Sequence, residues 1–175
     1  NSGTINAGGS KAINLLNATN SIITNNTGGI IKSNTNTITV TATNDNDANN
    51  VTINNSGEIY AYSTDPADSA AIKSEADTDN ITIINNSGGY IHSNNSNSSV
   101  QQGSTVFISS LSNATLTNSG TIENKASTDA YVLGVAGIGV TVTLKDKGKV
   151  IGKINVAGSG HTIKLQHGAG QAYFY

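Results

Sequence analysis

The stretch NNSGEI, residues 54–59, decides the fold because the chain keeps returning to it. NSGTI stands at 1–5, NNTGGII at 25–31, NNSGGYI at 85–91, TNSGTI at 117–122 and a degraded DKGKV at 146–150. Taking Gly3, Gly28, Gly57, Gly88, Gly120 and Gly148 as markers, the intervals are 25, 29, 31, 32 and 28 residues. A period of that size belongs to solenoids, propellers and arrays. No stretch carries a helical hydrophobic period over ten or more residues; residues 65–79 come closest and hold Pro66 and several Asp. Strands fit instead. Each period starts with a short alternating β-branched run such as VTIN (51–54). The Gly bends the chain into a second strand (TINA 4–7, EIYAY 58–62, YIHS 90–93, TIENKA 121–126). After a loop of variable length comes a third (KAINL 11–15, TITVT 37–41, AAIKS 70–74, TVFIS 105–109, AYVLG 130–134, KINV 153–156). Three strands and three corners per period describe an all-β parallel β-helix, a β-solenoid of about six coils in one domain over 1–175, with 153–175 as a last coil or cap.

In such a solenoid every coil lies on the last, so equivalent residues stack about 4.8 Å apart and each stack favours one residue type. Ile5, Ile31, Ile59, Ile91, Ile122 and Val150 are expected to form an inward aliphatic column. Ile59 and Ala61 then point in, while Glu58, Tyr60 and Tyr62 point out. Asn1, Asn55 and Asn118 are expected to form an amide ladder. Gly3, Gly57 and Gly120 are expected to share a corner that needs positive φ. The Gly-Gly copies at 28–29 and 88–89 read as a one-residue bulge that keeps Ile31 and Ile91 in the column.

The composition narrows the function. Asn, Ser, Thr and Gly dominate, which is common in disordered chains, but 35% hydrophobic residues in regularly spaced groups and a net charge of −2 argue for a packed core. Arg is absent and the nine Lys form no basic stripe, so a nucleic-acid surface is not expected. No apolar run is long enough for a transmembrane helix, and zero Cys excludes disulfides and thiol chemistry.

No constellation of catalytic, metal or cofactor residues emerges. Most carboxylates fall in turn-like stretches such as NDND (44–47) and STDPADS (63–69). Glu58 and Glu123 flank the inward column two coils apart, roughly 10 Å, too far for a retaining glycosidase pair. NDND and DTDN (77–80) place Asx residues two apart, which suits Asx-turns better than a calcium loop. His92 follows an inward Ile and should face out; His161 and His167 are not spaced with it for zinc. Thr-x-Thr at 115–117 and 141–143 resembles ice-binding arrays, but the coils at 51–53 and 81–84 offer one Thr each, so these Thr read as a solvated strand face. The residues expected to touch a partner are Tyr60, Tyr62, Asp65, Asp68, Tyr90, His92 and Tyr131, with the longest insertions, 63–80 and 93–105, as contact loops. Tyr173, Phe174 and Tyr175 are expected to cap the last coil.

T-[IV]-T strands followed by N-S-G-x-I and a variable loop resemble the passenger repeats of bacterial autotransporters, the type V secreted surface proteins, from Asn1 to about Gly152. The coil over 141–161 departs from the pattern, with DKGKV in place of NSGTI. The resemblance implies a right-handed β-helix displayed outside a bacterium, here a fragment of a longer passenger, and an adhesin or stalk that meets a host-cell or matrix ligand or glycan. Self-association into filaments or cell aggregates is the alternative, and a polysaccharide-processing enzyme is disfavoured.

Overall fold

The computed structural model describes residues 1–44, 48–63, 69–95, 103–166 and 168. The chain is a right-handed parallel β-helix of about six coils, built as three six-stranded parallel sheets. Sheet A stacks β1 (Thr4–Ala7), β4 (Ile30–Ser33), β8 (Glu58–Ala61), β12 (Tyr90–Ser93), β15 (Thr121–Asn124) and β18 (Lys149–Ile151). Sheet B stacks β2 (Ile13–Leu16), β5 (Ile38–Thr41), β9 (Ile72–Ser74), β13 (Val106–Ser110), β16 (Tyr131–Gly137) and β19 (Lys153–Val156). Sheet C stacks β3 (Ile22–Asn25), β7 (Thr52–Asn55), β11 (Thr82–Asn85), β14 (Thr115–Asn118), β17 (Thr141–Lys145) and β20 (Thr162–Gln166). A two-stranded ladder of β6 (Ala48–Asn49) and β10 (Thr78–Asp79) closes one corner. Thus Ile72–Ser74 is strand, as the AAIKS reading expects, and Thr78–Asp79, expected within a contact loop, is strand as well; 64–68 and 96–102, the centres of the two contact loops, lie outside the described residues, as do Asp65, Asp68 and the 173–175 cap.

The inward column forms as its spacing requires: Ile5, Ile31, Ile59, Ile91, Ile122 and Val150 pair strand to strand, and Ile31, Ile59, Ile91 and Ile122 are fully buried. Even the degraded coil stays in register, with Thr141 on Thr115 and Val150 on Ile122. On sheet C the core is Ile53, Ile83, Leu116 and Val142; on sheet B it is Ile38, Ile72, Val106 and Leu133.

The amide ladder is longer than the phrase Asn alone suggests. Asn1 donates to Asn25 at 3.0 Å, Asn25 to Asn55 at 2.9 Å, Asn55 to Asn85 at 2.9 Å and Asn85 to Asn118 at 2.8 Å. Asn25, Asn55, Asn85 and Asn118 are fully buried, so each amide satisfies its neighbour where no water reaches. At the next coils Leu144 and Leu165 take the column, and Asn118 turns its amide to the Lys149 carbonyl at 2.9 Å. A second Asn column stands at the opposite end of the sheet C strands: Asn20, Asn50, Asn80 and Asn113 all hold left-handed φ between 49° and 56°. Asn tolerates that conformation better than most side chains.

The glycine expectation needs correction. Gly57 and Gly120 do not have positive φ; they are required because a Cβ would lie 2.3 Å from the Gly29 carbonyl oxygen and 2.2 Å from that of Gly89. Close stacking of coils, not an unusual backbone, excludes a side chain there. Gly3, in the first coil, meets no such neighbour. The Gly-Gly copies are also not one-residue bulges. Between the ladder column and sheet A the corners are 2–3, 26–29, 56–57, 86–89, 119–120 and 145–148, so two-residue and four-residue corners alternate. Each four-residue corner is a β-turn closed by a 2.9 Å bond, from Gly29 to Asn26, Gly89 to Asn86 and Gly148 to Lys145. Gly28 and Gly88, at φ 81° and 83°, take the third turn position that a type II turn reserves for Gly.

Candidate functional site

The outward side of sheet A carries the only dense cluster of aromatic and ionisable side chains among the described residues. Period-two alternation puts every second side chain of β4, β8, β12 and β15 outside, and parallel register sets Ile30, Glu58, Tyr90 and Thr121 in one column and Lys32, Tyr60, His92 and Glu123 in the next. The contacts cross between these columns. Glu58 accepts a 2.8 Å hydrogen bond from His92 Nε2, and Tyr90 Oη donates a very short bond to Glu123 Oε2. Both acids therefore reach into β12 from opposite sides, one coil away each, rather than facing one another.

His92 sits at the centre. It is on the outward side, as expected, yet it is only 6% exposed. The Tyr60 ring stacks on it at 4.6 Å between centroids with 10° between planes, and the Tyr90 ring lies 4.4 Å away, tilted by 34°. Tyr62 extends the run, 6.2 Å from Tyr60, and donates to the Ala7 carbonyl at 3.3 Å. Lys32 Nζ lies over Tyr60 at 5.7 Å and Lys125 Nζ over Tyr90 at 4.9 Å, both in cation–π range.

Burial pushes the His92 imidazole below its ordinary pKa, and the bond to Glu58 offsets this only in part. Lys125 adds to the downward push. The downward push favours the neutral ring, and donation from Nε2 to Glu58 Oε1 corresponds to the tautomer protonated on Nε2. The Tyr90 phenol is pushed upward by burial first, then by the bond to Glu123 and by the charges of Glu123 and Glu58. Both shifts favour the neutral form of the imidazole and of the phenol.

Of the residues expected to touch a partner, Tyr60, Tyr62, Tyr90 and His92 come together here. Tyr131 begins β16 on sheet B and makes no ring contact with them. Of the DTDN stretch, Asp79 is nearly buried and accepts a 2.7 Å bond from Ser112 Oγ, and Asn80 donates to Asn49 at 2.9 Å, so both stitch neighbouring coils. In the sequence Glu58 and Glu123 are two acids spaced two coils apart; their partners, His92 and Tyr90, follow only from the register. The one signal in the sequence was that these residues share outward positions at consecutive phrases. Compared with known proteins, the chain matches no family model, no curated protein and no solved structure.

Proposed function

We propose that the chain is part of a bacterial surface passenger, a non-enzymatic adhesin or stalk whose rigid β-helix holds a contact face toward a host-cell or matrix ligand outside the cell. The observation that carries this reading is the stacked run Tyr62–Tyr60–His92–Tyr90 on the outward side of sheet A. Stacking needs like residues only inside, so four aromatic rings packed on the outside have no counterpart in the repeat. Tyr is a common contact residue because it offers area with few rotatable bonds. Displayed in many copies on a cell, even a weak patch acts through avidity. The test is display on a non-adherent bacterium. Adhesion to epithelial cells or a matrix-coated surface is expected, with a several-fold fall in the Tyr60→Ala/Tyr62→Ala variant. Absence of adhesion in the parent overturns the reading.

The self-association alternative is favoured by a different face. The outward columns of sheet C read Ile22, Thr52, Thr82, Thr115, Thr141, Thr162 and Thr24, Asn54, Ile84, Thr117, Thr143, Lys164. One column is Thr on five successive coils, and the twelve positions include a single charge, so two copies could meet face to face without repulsion. Sedimentation of the parent and of a Thr82→Lys/Thr117→Lys variant separates the two readings: concentration-dependent assembly lost in the variant favours this one.

A further inference from the structure

Two- and four-residue corners alternate along the edge between sheet C and sheet A, each short corner nested on a long one. The short corner alone connects sheet C to sheet A on half of the coils, with the same ladder and the same inward Ile. The long corners at 26–29 and 86–89 project as type II turns, and the space around a Cβ at Gly28 or Gly88 is open. Between them the chain is recessed at Ser56 and Gly57. The result is a groove of about 290 Å3 across the edge of the rod, with Gly28 and Gly88 on its two walls and Thr27, Ile30, Ser56, Glu58 and Tyr90 reaching it. It is held in shape from below: Asn86 Nδ2 donates to Ser56 Oγ at 3.0 Å, and Asn26 Nδ2 repeats that bond to Ser2 Oγ one corner pair earlier.

We propose that this groove binds one uncharged pyranose residue of a glycan. Its volume lies at the lower limit of small-molecule sites, which suits a single ring and its linkage oxygens. The carbons of Ile30 and Tyr90 offer apolar surface to a sugar C–H face, while the Ser56 and Thr27 hydroxyls and the Glu58 carboxylate offer hydrogen-bond partners to its hydroxyls. Glu58 lines the groove while its Oε1 accepts the bond from His92 at 2.8 Å, so the carboxylate is held in place by a neighbouring coil. Charge selects the class. The cluster beside the groove holds two carboxylates, Glu58 and Glu123, and two ammonium groups, Lys32 and Lys125, so neither charge sign predominates and a neutral ring is the class it suits.

The proposal names a ligand class for the surface-binding reading and rests on that reading for its biological setting. The test is saturation-transfer NMR on the whole chain with methyl glycosides of glucose, galactose, mannose and N-acetylglucosamine, against glucuronic and sialic acids. At least one neutral glycoside is expected to bind, and the acids are expected not to. Thr27→Trp places a bulky ring from an exposed turn position into the groove and should weaken binding at least tenfold with an unchanged melting temperature; Tyr90→Ala should weaken binding as strongly by removing apolar surface, with a lower melting temperature because the ring contacts to His92 and Lys125 and the bond to Glu123 go with it. No glycoside binding, equal binding of the acids, or unchanged affinity in both variants overturns the groove. Cell adhesion without glycoside binding removes this inference and leaves the surface reading standing; glycoside binding in the groove without cell adhesion does the reverse.

Discussion

The two sides of sheet A differ in kind although they alternate along the same strands. Inside, Ile31, Ile59, Ile91 and Ile122 repeat one residue on successive coils; one position further on, Lys32, Tyr60, His92 and Glu123 repeat nothing. Both columns have the same spacing and the same neighbours above and below. The inner one is confined by two other sheets, so any change of volume opens a cavity or a clash in several coils at once. The outer one is confined only by its neighbours, so a sequence can place an acid beside a histidine and a phenol beside an acid. Uniformity marks where packing governs, and variety marks where it does not.

Aspartate introduced on each side gives the strongest contrast. Ile59→Asp places an unpaired charge at a fully buried site and should cost more than ~4 kcal/mol, enough to unfold the central coils. Tyr60→Asp loses the stacking on His92 and the Lys32 contact and should cost about 1 kcal/mol. Urea melts of both variants check the contrast, and equal costs would dissolve it.

Glycine substitutions sharpen it at the corner. Gly57→Ala puts a methyl 2.3 Å from the Gly29 carbonyl oxygen and 2.5 Å from that of Asn26 and should cost about 3 kcal/mol, because backbone of the coil before has to move. Gly28→Ala meets only open space, and its positive φ should cost about 1 kcal/mol. The same melts rank them.

Next in size is Asn55→Leu. Leu occupies this column at 144 and 165, so the volume is acceptable, but in mid-ladder the change leaves Asn85 Oδ1 without the donor from Asn55 and removes the bond to the Gly57 backbone carbonyl. About 2 kcal/mol is expected. A cost near zero would mean that the ladder selects register without adding stability.

Sequence and structure agree on the inner side for the reason given above: stacking forces like onto like, so a column can be read from one chain. Strand order, the Ile column and the start of the Asn ladder were legible that way. The Gly column was legible, but its cause was not, since a sequence shows that Gly recurs without showing whether φ or a neighbour 2.3 Å away demands it. The second Asn column at 20, 50, 80 and 113 is periodic too, falling two residues before β3, β7, β11 and β14, but Asn is so frequent in this chain that its recurrence there does not stand out. The outer contacts were not legible. Glu58 and His92 are 34 residues apart, and only a register accurate to one residue brings them together.

The smallest expected effect comes from pH and tests the outer cluster alone. His92 has a lowered pKa in the folded chain, so below about pH 6.5 the unfolded state binds the proton more readily. Stability should therefore be complete above about pH 6.5 and fall as the pH drops through the lowered value. Tyr90 works in the opposite direction: its raised pKa makes stability decline as the pH climbs above about 10. Thermal melts at pH 7.5 and 5.0 should differ less in His92→Gln than in the parent. An equal difference would place the titrating group elsewhere.

The direction of the ladder bonds has a mechanical consequence. The amide ladder and the backbone bonds between coils run along the rod, each joining one coil to the next. Traction applied to the two ends of the chain loads the bonds of the outermost coil first and shields those behind it. The rod would then unspool a coil at a time, each period of about 30 residues paying out roughly 100 Å of slack. A rod built in this way yields under a pull by lengthening in steps, and the coils still wound keep their structure while it does so.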